Sequence, residues 1–186
     1  MHTSSYEFGR IQLVKLSVIT FILSMGLFLS ANSQVKGASQ NLKTQAAKMG
    51  TAFISGDYKT FASYTHPVVL KAVGGASKMA EMVEKSINQM KADSMNFTSV
   101  NFDEPSAIVK KGIELQATIA QHTEIKLSKG RLLNTSTLIG ISIDNGVNWK
   151  FIDTSNNDVA ALRKAFPNLS PSLVIPPPQK PVKYND

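Results

Sequence analysis

Apolar residues return at steps of four, three and four along Leu42, Ala46, Met49 and Phe53, while Lys43 and Lys48 fall off that line. The spacing predicts an amphipathic helix over 38–55. Gly56 suits a left-handed helix end and Asp57 can accept from the free amides of the next helix, so GDYKTFASYT begins a short second helix carrying Tyr58, Phe61 and Tyr64. Pro67 fits a first helical position, and HPVVLKAVGG makes a further helical piece closed by Gly74 and Gly75. A long helix follows in ASKMAEMVEKSINQMKAD, with Met79, Val83, Ile87 and Met90 on one face.

After Asp93 the period shortens from about 3.6 to 2. Phe97–Asp103 reads as a first strand limited by Pro105. From Ile113 to Leu127 the chain alternates without interruption, with Leu115, Ala117, Ile119, Gln121, Thr123 and Ile125 on one face. The other face holds Glu114, Gln116, Thr118, Ala120, His122, Glu124 and Lys126, which predicts solvent or a partner there. SKG supplies a turn, residues 131–144 a second long strand, Asn145-Gly146 a tight hairpin and residues 147–154 the last strand. NNDVAALRKAF, capped by Asn157 or Asp158, predicts a short closing helix. Beyond it, residues 167–186 are rich in proline and predict an extended tail, serving either as a strap or spacer or as a docking peptide.

The start of the chain has a different character. Arg10 and Lys15 precede LSVITFILSMGLFLSA, and ANS at 31–33 places small residues where a signal peptidase reads. The run is short for a membrane span of roughly 20 residues, so residues 1–33 read as a signal peptide and the product as periplasmic or secreted. The organisation expected is a signal peptide over 1–33, an α+β domain over 34–166 and a proline-rich tail over 167–186.

Composition narrows the chemistry. The chain of 186 residues has no cysteine, which removes disulfides, thiolate metal sites, thiol nucleophiles and a lipidated cysteine. Its formal charge of +7 comes from scattered lysines with no basic run or interleaved aromatics, so nucleic acid is not an expected partner. The histidines are His2, His66 and His122, and none has ligand-like spacing to another; no metal and no cofactor are expected. No Gly-x-Ser-x-Gly elbow or phosphate loop occurs, since Gly74 and Gly75 are followed by ASKM.

Helices first, long antiparallel strands after, the GDY step and the alternation of Trp149, Phe151 and Asp153 resemble the nuclear transport factor 2-like superfamily over about 42–154. The resemblance implies an α+β cone, with N-terminal helices packed in the concave face of a curved antiparallel sheet around a pocket. It also implies a homodimer paired through the outer sheet face. Ser142, Asp144, Gly146 and Trp149 match a single Asp-box hairpin of the sialidase-like propellers, but the chain is too short for several blades. Here the box reads as turn chemistry, with Trp149 covering the core.

In a conical pocket a buried carboxylate, imidazole or phenol can move protons at neutral pH. His66, Tyr64 and Asp103 are the catalytic candidates; Tyr58 and His122 are weighed beside them. Asp103 faces inward only if Phe97, Ser99 and Asn101 do as well. Gln121 and Thr123 interrupt one strand's apolar face, and Thr135 and Thr137 interrupt that of its neighbour. Together with Tyr58, Tyr64 and Trp149 these four form the expected ligand-binding set, as a wet pocket floor or as a sheet end already open to water. Three functions follow: an exported, non-catalytic binding or interaction domain for a small ligand, a cofactor-free isomerase or dehydratase acting on an apolar carbonyl compound, and an envelope accessory protein docking through its tail.

Overall fold

The computed structural model describes residues 37–155 and 158–185; the expected signal peptide over 1–33 and the alternative cap Asn157 lie outside them. Helix α1 runs over residues 37–55 and buries Leu42, Ala46 and Met49 of the stripe that its spacing foretells, together with Ala38 and Ala52, while Phe53 is half-buried. Gly56 has φ of 80°, and Asp57 caps α2 (Tyr58–Ser63) by accepting from the Thr60 amide at 3.1 Å. His66 caps α3 (Pro67–Ala72), and α4 (Ala76–Ala92) turns Ala80 and Ile87 inward.

Six strands follow: β1 (Asn96–Phe102), β2 (Val109–Lys111), β3 (Glu114–Lys126), β4 (Arg131–Ser142), β5 (Lys150–Asp153) and, at the chain's end, β6 (Val182–Tyr184). Between β5 and β6 lies α5 (Val159–Ala165), capped by Asp158. The curved sheet runs β1-β3-β4-β5, with β2 beside β1 on the edge of β3 and β6 beside β5 on the edge of β4, all antiparallel. Thr65 continues the far edge by bridging to Phe151. This is an α+β fold whose sheet curves around a helix. Neither β2 nor β6 has an apolar alternation long enough to read from sequence.

The sheet carries a core on each face. On the concave side Leu42, Ala46 and Met49 of α1 pack against Ala117, Ile119, Leu138, Trp149 and Phe151. Gly140 permits this approach, because a Cβ there would lie 2.9 Å from Leu42 and 3.2 Å from Trp149. On the outer side Ile139, Ile141 and Ile152 pack under Leu162 of α5 and under Leu169, Leu173 and Ile175.

That second core takes in part of the expected tail, in the role of a strap. Residues 169–175 are part of the folded unit that begins at Ala38, and they lie as a strap across the outer face. Gln116, on the strand face predicted to meet solvent, is fully buried: its amide donates to Asn168 O at 2.9 Å and accepts from Ser170 N at 2.8 Å. Thr118 donates to Val174 O, and the Arg163 guanidinium holds Ser170 O and Leu173 O at 2.9 and 3.0 Å. Buried carbonyls under a strap need such partners. Residues 176–185 remain exposed.

The Asn145-Gly146 hairpin is a longer loop than expected, because β4 ends at Ser142 and β5 starts at Lys150. Asn145 and Gly146 take φ of 58° and 85°, and the Asp144 carboxylate gathers the Asn148 amide N–H, the Asn148 side chain and the Ser142 hydroxyl. Those bonds hold its carboxyl below the usual range. Trp149 lies beneath, fully buried, its indole N–H on Gly146 O at 3.1 Å. Asn41 and Gln45 of α1 fasten the loop through the carbonyls of Gly146 and Val147. Ile113 and Ile143 fall beyond the strand ends and are exposed. Among the described residues no helix is long and apolar enough to cross a membrane.

Candidate functional site

Strand register decides which polar side chains meet. Ala117 pairs with Gly140 and Ile119 with Leu138, so odd residues of β3 share the concave face with even residues of β4. Thr135 and Thr137 therefore lie on the outer face, opposite to Gln121 and Thr123. The expected floor of four polar residues does not form; it is split by the thickness of the sheet.

On the concave side, Gln121 donates to Thr123 Oγ1 at 3.3 Å, and Thr123 is buried. The two satisfy each other beneath helical cover. Tyr64 caps the end of α2 and packs on the first core. Tyr58 stacks edge-on against Phe53 at 6.4 Å, and burial, helped by Glu84, pushes its phenol up. Phe53 also meets Phe61 and Phe97, making an aromatic cluster. Trp149 is closed off from any solvent-borne ligand by its own burial.

The catalytic candidates do not converge. His66 sits at the start of α3, its Nδ1 accepting from the Val68 amide at 3.3 Å and its ring edge-on to Phe166 at 5.5 Å. Burial lowers its pKa, with Glu114 opposing in part. Its work is a helix cap. Asp103 faces outward. A bulge between Phe97 and Ser99 breaks the strand's alternation, so Phe97 turns in to Phe53 while Asn101 stands opposite His122 on the outer face.

That bulge assembles a cluster. Asp103 is anchored by its amide on Ala120 O at 3.2 Å, and its Oδ2 lies 3.0 Å from His122 Nε2. His122 Nδ1 lies 3.1 Å from the Thr135 hydroxyl, on the residue directly opposite in register. Three residues from the end of β1, from β3 and from β4 thus form one series, carboxylate to imidazole to hydroxyl. The His122 and Asp103 side chains are 44% and 61% exposed, so the series is open to solvent. Asn101, exposed, and Ala120 and Leu133, half-buried, flank it. Further down the same face Glu124 accepts from Thr98 and approaches Arg131 at 3.8 Å, and the Arg131 guanidinium lies over the Tyr184 ring.

Sequence reasoning weighed Asp103, His122 and Thr135 singly and for different reasons; pairing register and the bulge join them. Two open grooves cross helix surfaces instead, one along α1 beside Lys43, Ala47 and Thr51, the other along α4 beside Glu81 and Asn88. Among the described residues no three His, Asp or Glu side chains gather in a manner that could hold a metal ion. Comparison with protein-family models gives no match, and comparison with curated proteins gives none.

Proposed function

We propose that the chain is an exported binding domain of the nuclear transport factor 2-like type, non-catalytic in its main role, that takes a small polar ligand on the uncovered half of its outer sheet face. The observation that carries this reading is the Asp103–His122–Thr135 series with Asn101 beside it: a mixed set of donors and acceptors on paired strands, half open to water. Sites on strands hold their geometry better than sites on loops. The concave face, where the resemblance implies a pocket, is packed by α1 side chains instead. Export rests on the apolar run Leu16–Ala31 and the small residues that follow it. Ala120 and Leu133 between polar groups suit a hydroxylated ring such as a monosaccharide, which offers both apolar and hydrogen-bonding surface.

Thermal melts over a panel of monosaccharides and sugar acids test it. The expected result is a rise in melting temperature that follows mass action and disappears in Asp103→Ala and His122→Ala. A rise that survives both substitutions and vanishes in Ala47→Leu would place the ligand along α1 and end the outer-face reading.

A further inference from the structure

We infer that Asp103, His122 and Thr135 form a nucleophile relay that accepts an acyl group from a small activated ester onto the Thr135 hydroxyl. The inference rests on the same outer-face site as the binding reading and adds a chemical step to it.

An imidazole has one donor and one acceptor nitrogen when neutral. The Asp103 carboxylate, 3.0 Å from Nε2, accepts, so Nε2 carries the proton. Nδ1 is then the acceptor, and the group 3.1 Å from it is the Thr135 hydroxyl, whose proton points at the ring. This is the division of labour in which a carboxylate fixes the tautomer, a ring takes the proton and a hydroxyl attacks, recognised by geometry and not by order in the chain.

A second feature sits at the same residue. Thr154 takes the Thr137 carbonyl on the edge of β4 that faces away from β3. Alternate residues of a strand point their amides to the same side, so the Thr135 N–H also points away from β3. A backbone N–H next to the attacking oxygen is the kind of donor that stabilises the oxyanion of acyl transfer.

In the step, Thr135 Oγ bonds to the ester carbonyl carbon as its proton passes to Nδ1, and the Asp103 carboxylate stabilises the resulting imidazolium. The carbon–oxygen bond to the alcohol then breaks, and the departing alkoxide takes the proton from Nδ1. The products are an O-acyl Thr135 and a free alcohol. Water attacking the acyl group, with His122 again as base, returns Thr135 and releases the acid. The His122 and Asp103 side chains are 44% and 61% exposed, so the hydroxyl meets its substrate on an open strand face and the substrate class is short-chain, unhindered esters with a good leaving group.

The test is incubation of the full chain with p-nitrophenyl acetate, reading p-nitrophenolate release and locating acetyl groups by peptide mass spectrometry. Acetyl on Thr135 is expected in the wild type and in Thr135→Ser, absent in Thr135→Val, and reduced on the order of a hundredfold in His122→Gln. Asp103→Asn should lower the rate and change its pH profile, which a purely structural carboxylate would not do. Trp149 emission and the melting curve check that each variant is folded. Acetyl on lysines alone, or Thr135 acetylated equally in His122→Gln, overturns the relay. Either outcome leaves the binding reading to be decided by the sugar melts, where no acyl donor is present.

Discussion

His66 shows how a residue that looks catalytic can be consumed by local structure. It precedes Pro67, which cannot donate, so the first helical amide within its reach is that of Val68, and the neutral ring accepts from it. Protonation would remove that acceptor, and burial already disfavours the charged ring. The folded-state pKa therefore lies below the ordinary 6.5, and the unfolded chain binds the proton more readily. Stability from this group is complete above the unfolded pKa and is lost as pH falls from there through the lowered folded value. His66→Asn keeps a capping oxygen and has no titrating ring. In denaturant melts between neutral and mildly acidic pH its unfolding free energy should slope less than that of the wild type, by a cap-sized amount of about 0.5–2 kcal/mol. Equal slopes would show that His66 does not set the acid response.

At the scale of elements, the strap is the feature that most changes the molecule. Between Leu169 and Ile175 the backbone makes only turn-like bonds of its own and joins no strand, so side chains must reach out to hold it on the sheet. Gln116, Thr118 and Arg163 do so, and Leu169, Leu173 and Ile175 supply the apolar contact. Gln116→Ala leaves the Ser170 amide and the Asn168 carbonyl without their partner, and should cost about 1–3 kcal/mol in a chemical unfolding experiment. A neutral outcome would mean that water replaces the glutamine and that the strap is held by its apolar residues. The strap also covers part of the outer face, the face through which the resemblance implies a dimer. Pairing through that part would require the segment to leave.

For the whole molecule, the two cores make the C-terminal segment a condition of folding and only its last residues dispensable. Removing a buried leucine or isoleucine side chain costs about 2–5 kcal/mol, against a total stability of about 5–15 kcal/mol for an ordinary domain. Ending the chain after Phe166 strips three such residues from the outer core and should abolish cooperative unfolding, whereas ending it after Ile175 should preserve it. Trp149 is the chain's single tryptophan and is fully buried, so its blue-shifted emission reports the outcome directly. A cooperative transition in the shorter chain would show that the concave core suffices. The accessory reading is narrowed in the same way, since of the described tail the exposed residues 176–181 lie outside both the strap and β6.

Local periodicity was enough to determine the helices, the three longer strands and their order, because a helix stripe or a strand alternation is written within a dozen neighbouring residues. The burial of Leu42, Ala46, Met49 and Trp149, the Asp57 and Asp158 caps and the Asp144 turn were legible for the same reason. The outer-face series was not, because it depends on two events that no single segment encodes: a bulge at Thr98 that turns Asp103 over and a register that sets Thr135 against His122. Slipping a strand by one residue exchanges its faces, so the meeting of those side chains was decided by pairing between distant strands.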